Sequence, residues 1–368
     1  MKLFSLIILA SSLFNLPALH KAGFRGEGMT IAVIDAGFFH ANDSTVFPQD
    51  RILGSYDLLQ GDSLAKPQPG MFDDPTNIHG TMVLSTMLHD SIGTAPQASF
   101  YLIRSEDTYA EYYGEVERLA RAFRLADSLD VDIVTVSLGY YKFNPVEGDT
   151  VNPMDFTYAD MDGSSVAAQA ATQLARNGRF VVLSAGNEGN KPWHYISTPA
   201  DADSILTVGA VDSVGEPAYF TSWGPTSDGR LKPEVSALGY HSRVYVPNVT
   251  DTLGHFVGAI DKANGTSFSA PETAGMAACL WQALPNLTAM ELRELIMQSS
   301  SLYPSYDYQR GYGEPDAWKA YTTATNLPLI GEESSSDAPR RHILITGQGP
   351  VLLVNGQHYS LLGIKISR

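Results

Sequence analysis

Short apolar runs alternate with amphipathic ones along most of this chain. TIAVID (30–35), SFYLIR (99–104), VDIVTVSLG (131–139), RFVVLSAGN (179–187) and ILTVGAV (205–211) are rich in β-branched residues and apolar at nearly every position. A strand with no polar face is buried on both sides, as the strands of a parallel sheet are. Between these runs lie segments with helical spacing: HGTMVLSTML (79–88), a longer amphipathic stretch near 111–129, and 164–177. The alternation predicts an α/β fold, a three-layer, doubly wound, mostly parallel sheet with helices on both faces. In such sheets functional residues gather beyond the carboxyl ends of the strands. Further on, Thr288 and Glu291 have capping-box spacing and open another helix.

The two ends of the chain break this pattern. Lys2 precedes an apolar run from Leu3 to Ala10 and then Ser11 and Ser12, the layout of a secretory leader; a hydrophobic arm packed on the domain is the other reading. The run is too short to span a bilayer, and no later stretch has the length for an integral membrane segment. Near the other end GEESSSDAPRR (331–341) is charged and serine-rich like a linker. After it come three short strand patterns, with turns at Gln348-Gly349-Pro350 and Asn355-Gly356, which predict a small C-terminal β appendage.

Composition narrows the partners. The chain has 368 residues, 44% of them hydrophobic and 17% charged, enough apolar material for a sizeable core. A formal charge of −16 repels phosphate backbones, so nucleic acid is not an expected partner. Cys279 is the single cysteine, which excludes an intrachain disulfide, and its apolar surroundings point to a small buried hydrophobe.

The candidate chemistry begins at NGTSFSAP (264–271). Three hydroxyl residues stand where a helix starts, which by itself is what side-chain capping looks like, with Pro271 in the first turn. A serine nucleophile requires more: a base for its proton, an acid to orient the base, and donors for an oxyanion. Each type stands at the end of an expected element: Asp35 closes TIAVID, His79 opens HGT, Asn187 closes VVLSAGN, and Ser267 opens its helix.

VIDAGF, HGTMV, SLGY, SAGNEG and NGTSFSAP together resemble the motif set of the subtilisin-like serine proteases, the subtilases. Any one of these motifs recurs by chance; five in family order make a specific signal. The resemblance covers about residues 17–325, and TSWGPTSDGRLKPEVSALG also looks like its family counterpart. It implies a secreted serine endopeptidase working through an acyl-enzyme: Ser267 as nucleophile, His79 as general base and then acid, Asp35 as the group that orients His79, and Asn187 as an oxyanion donor beside the Ser267 N–H. By the same resemblance Ser137, Leu138 and Gly139 pair with the substrate backbone, and Ala185 and Gly186 wall the specificity pocket. The implied partners are polypeptide substrates, the implied location is extracellular, periplasmic or cell-envelope, and no cofactor or metal is required for catalysis. Oligomeric state is not implied.

Four departures matter. Ala36 follows Asp35 where the family commonly has Ser or Thr. The chain runs from leader-like residues straight into the domain, with no visible pro-segment, which bears on autoprocessing. In LHDSIGTAPQAS (88–99) the loop that carries a tight calcium site in relatives looks shortened, so that structural calcium site is expected to be missing; Asp160-Met161-Asp162-Gly163 could seat another cation or simply cap the following helix. The terminal strands have only a weak likeness to sorting tails. The expected organisation is a leader-like segment at 1–16, a catalytic domain at 17–327, a linker at 328–341 and a β-hairpin tail at 342–368. A catalytically silent subtilase-like binding protein is the alternative. An esterase of the α/β-hydrolase fold is disfavoured, because that fold uses G-x-S-x-G with acid and histidine after the serine.

Overall fold

The computed structural model describes residues 14–59, 71–108, 111–145 and 152–326, and the backbone of three strands between 341 and 359. Seven strands form one sheet: β1 (Thr30–Asp35), β2 (Ile52–Asp57), β3 (Ser99–Arg104), β4 (Ile133–Val136), β5 (Phe180–Ser184), β6 (Leu206–Val211) and β7 (Val235–Leu238). Their order is β2-β3-β1-β4-β5-β6-β7, and every neighbouring pair runs parallel.

Successive residues of each strand face opposite ways. Ile31 and Val33 of β1 belong to one apolar core, Ala32 and Ile34 to the other, and β5 divides likewise between Phe180 and Val182 on one side and Val181 and Leu183 on the other. The first core is covered by α2 (His79–Leu88), α5 (Thr266–Ala283) and α6 (Ala289–Ser299), and the second by α3 (Gly114–Ser128) and α4 (Val166–Arg176). This is the expected three-layer arrangement, and it explains why the strands read as unbroken apolar runs.

The helices follow the same logic. In α3, Val116, Leu119, Ala120, Phe123 and Ala126 are buried at helical spacing. Helix α5 is buried from Thr266 to Leu280, and its small residues let it pack against β4, β5, β6 and β7 at once. Thr288 caps α6 with Glu291 reaching back, as its spacing indicates. The 160–163 stretch is occupied with capping: Asp160 completes a box with Thr157, Asp162 accepts the Ser164 N–H, and Ser165 is the N-cap of α4. Among the described residues no three His, Cys, Asp or Glu side chains converge as a metal site requires, and no helix is long and apolar enough to cross a membrane.

Three features differ from expectation or extend it. The packed unit reaches back to Phe14: Phe14 and Leu16 are fully buried, so a boundary after residue 16 cuts through packed chain, while residues 1–13 lie outside the described residues. A short helix, α1 (Leu16–Lys21), follows, and α7 (Ala317–Asn326) is tied to this start by the Ala317 N–H donating to the Phe14 carbonyl at 2.8 Å. An antiparallel pair, β8 (Ser242–Val246) and β9 (Ala259–Ala263), leads into α5. The C-terminal strands β10 (Arg341–Thr346), β11 (Gly349–Val354) and β12 (Gln357–Tyr359) form an antiparallel sheet of their own, and residues 327–340, most of the expected linker, lie outside the described residues.

One buried group in α5 works against stability. Glu272 is 3% exposed, its Oε2 has no partner among the described residues, and burial pushes its carboxyl well above the usual range. A folded state that keeps a proton the unfolded chain releases loses stability as pH rises above the ordinary carboxylate value. Glu272→Gln is therefore expected to gain stability over the parent as pH rises, by about 1 kcal/mol or more at pH 9 and by much less near pH 4.5. Denaturant unfolding at the two pH values checks this; a gap independent of pH would rule it out.

Candidate active site

Asp35 stands at the carboxyl end of β1, the third strand of the sheet and flanked on both sides, and is fully buried. Its Oδ1 accepts the Ala36 N–H at 2.8 Å and lies 2.7 Å from His79 Nδ1. A carboxylate can only accept, so His79 carries its proton on Nδ1 and presents Nε2 outward. Asp35 Oδ2 is buried without a partner, and the adjacent Ala36 has no hydroxyl to offer it.

His79 is the first residue of α2, and Gly80 allows it to approach so closely. A Cβ on Gly80 would sit 2.4 Å from the Gly37 carbonyl oxygen and 2.9 Å from Asp35 Cβ. The Gly80 N–H instead donates to that carbonyl at 3.0 Å, pinning the helix start to the loop after β1. Burial draws the His79 pKa down, but the charge and hydrogen bond of Asp35, with the charge of Glu106, more than reverse this, and the net shift is upward from 6.5.

Ser267 is the second residue of α5 and 8% exposed. It lines one cleft with His79, of about 370 Å³, together with Ala36, Ser137, Leu138, Gly139, Gly186, Asn187 and Thr266. No hydrogen bond joins His79 to the Ser267 hydroxyl in this structure, which does not disqualify the pair, since such bonds are often long in the resting site. The aromatic ring of Phe268 lies 6.1 Å from the imidazole, centroid to centroid.

The helix start does not use a side-chain cap, contrary to the simple capping expectation. Its N-cap is Gly265, with no side-chain bond, and Thr266 turns to Asn187 instead. The Thr266 N–H and hydroxyl both donate to Asn187 Oδ1, at 2.9 and 3.1 Å, and Thr266 Oγ1 accepts the Gly186 N–H at 3.1 Å. Two donors on one oxygen settle which way the amide faces, and Asn187 Nδ2 is left without an acceptor among the described residues. The Ser267 N–H likewise has none among the described residues. Two unused donors beside one serine hydroxyl are the parts of an oxyanion hole.

Pro271 also departs from expectation, since it lies inside α5 rather than in its first turn. It has no N–H for the carbonyl four residues back, that of Ser267. The Ser137 hydroxyl supplies the missing donor, at 2.9 Å, from the loop after β4. Ser137 thus has a structural task besides the expected backbone pairing with substrate.

Of the five residues expected to contact substrate, Ser137, Leu138, Gly139 and Gly186 line the cleft. Ala185 does not: it is fully buried with Ile196 and Ala200, one residue behind the wall, because it alternates inward where Ser184 and Gly186 face the cleft. Sequence reasoning passed over Glu106, Thr108, Glu111, Tyr141, Glu188 and Ser197, which line it too. Glu106 had a readable signal, since it lies just past the carboxyl end of β3, where site residues are expected. Cys279 is buried and its thiol is pushed up to about 12, in keeping with an inert role.

Comparisons with known proteins bear on the family and the fold. A model described as the subtilase family matches residues 26–313. The chain is 28% identical over 295 residues to a thermostable alkaline protease of Halalkalibacterium halodurans, covering 79% of this chain and 67% of that protein. It is 28% identical over 303 residues to subtilisin E of Bacillus subtilis, covering 81% and 66%. The chain thus spans about two thirds of the length of these relatives. Among solved structures, a protease from Pseudoalteromonas arctica has a similar fold, with a TM-score of 0.62 and 20% identity over 84% of this chain and 94% of that one.

Two measurements probe the site. The His79 imidazole, followed by NMR, is expected to titrate above 6.5, and Asp35→Asn to bring the midpoint down, since it removes the anion that favours the charged ring. A midpoint unmoved by Asp35→Asn would contradict the pairing. Ser137→Ala strips the buried Ser267 carbonyl of its donor and should cost about 1–3 kcal/mol in denaturant unfolding; a neutral effect would mean that the bond carries no weight.

Proposed function

The chain belongs to the subtilase family of serine peptidases, and we propose that it is a secreted endopeptidase in which Asp35, His79 and Ser267 act as a catalytic triad. His79 Nε2 takes the Ser267 proton as Oγ attacks the peptide carbonyl. Asp35 holds the imidazole in the required tautomer and balances the imidazolium that forms. Asn187 Nδ2 and the Ser267 N–H receive the oxyanion, aided by the positive end of α5. His79 then gives its proton to the departing amine, and water releases the acyl group from Ser267 by the same steps in reverse. A substrate strand lies along Ser137, Leu138 and Gly139. Each role in the reaction is filled by a protein group.

The observation that carries this proposal is the pairing of a 2.7 Å Asp35–His79 contact with two unused N–H donors at the same serine. Secretion, to the exterior or the cell envelope, is supported by the leader-like pattern of the first residues. The rival is a silent binding protein with the same fold.

A fluorophosphonate probe separates them. It is expected to label Ser267 in the parent chain and not in Ser267→Ala, while peptide hydrolysis falls by about a millionfold in Ser267→Ala and about a hundred- to a thousandfold in Asn187→Ala, the scale known for such losses in subtilisin. An unlabelled parent chain with no hydrolysis would favour the binding protein; equal hydrolysis by Ser267→Ala would remove Ser267 from the role.

A further inference from the structure

The walls of the cleft are unevenly charged. Glu106, Glu111 and Glu188 line it, and among the described residues no lysine or arginine does. The three carboxylates are not equivalent. Glu188 is satisfied, accepting the Tyr141 hydroxyl at 2.9 Å and pairing with Lys191 at 3.0 Å. Behind the wall, Glu115 is fully buried and accepts the Asp107 N–H at 2.7 Å, with Arg118 3.7 Å away. Glu106 is different. It is partly buried next to the site, its Oε2 accepts only the Tyr140 hydroxyl at 3.3 Å, and its Oε1 takes no donor among the described residues. Burial above all, then the charges of Glu111, Glu115 and Asp35, push its carboxyl up to about 8, with only His79 opposing.

A partly buried carboxyl on the cleft wall, with no cationic side chain against it and one oxygen without a donor among the described residues, can take a counter-charge from a ligand. Here it borders the cleft in which, on the peptidase reading above, a polypeptide must lie. We propose that Glu106 is a specificity-determining residue, and that it receives a lysine or arginine side chain of the substrate at the subsite bordered by His79. The incoming ammonium or guanidinium supplies the counter-charge, the Glu106 proton leaves to solvent, and the second oxygen gains the donor it lacks. A neutral side chain at that position leaves the carboxyl unpaired, so the preference comes from both an attraction and a penalty. Glu111, its carboxyl raised by burial, stands on the same wall.

The test uses the full chain and a peptide library randomised around the cleaved bond, with cleavage products read by mass spectrometry. The parent is expected to favour Lys and Arg over Leu about tenfold or more in kcat/KM at one fixed position near that bond. In Glu106→Gln, which keeps the size and the Tyr140 contact, the Lys-to-Leu ratio should fall about tenfold, and in Glu106→Lys it should fall further or invert. A parent with no basic preference overturns the proposal whether or not the variants fold. So does a Glu106→Gln variant that keeps the parent's ratio, even if its pH profile moves. Fluorophosphonate labelling of Ser267 in the same samples keeps the two readings apart: an unlabelled parent defeats the peptidase reading, whereas a labelled parent without the preference defeats only the role of Glu106.

Discussion

A carboxylate buried to the last square ångström at the end of a flanked strand must be given partners by the fold. Asp35 is that group, and His79 is the partner on which the site depends. Meeting the requirement fixes much of the neighbourhood. Helix α2 must begin within reach of β1, residue 80 must lack a Cβ, and the chain after Asp35 must turn back so that the Ala36 N–H reaches the same oxygen. The Ala36 carbonyl in turn accepts Arg104 Nε at 2.9 Å, joining the turn to the end of β3. The ring is oriented by the same contacts that dispose of the charge.

The oxyanion side rests on a second economy. Thr266 spends both of its donors on one oxygen of Asn187, and the amide nitrogen is thereby turned away from the protein. On the proposed reading such a donor needs no rearrangement when charge develops on the substrate. A side-chain cap at the start of α5 would have used up an N–H that the site keeps available.

Much of this was legible in the sequence. Strands buried on both faces have no polar phase, so β1, β3, β4, β5 and β6 stood out, and Asp35, His79, Asn187 and Ser267 stood out with them as polar residues at element ends. What escaped was set by long-range contact or partial exposure. The edge strand β2 is mostly half-buried, and β9 is largely exposed, so neither has an apolar run to read. Ala185 and Gly186 differ by one residue, and only the backbone path tells which of them faces the cleft. Glu106 lies where site residues gather, but nothing in the sequence tells that Tyr140, 34 positions later, donates to it. Pro271 looked like a first-turn proline because the helix was expected to start later than Thr266.

The hydroxyl of Ser137 completes the backbone of a helix 130 positions further along the chain. That link has a bearing on the life of the polypeptide. An enzyme that cuts extended chains is a danger to its own nascent copies, which are extended chains. On the proposed reading α5 carries the nucleophile, and one of its carbonyls is answered by a loop that the centre of the sheet brings in. The cleaving group thus sits in a helix whose hydrogen bonding is complete only when the sheet is assembled around it, so the two are coupled.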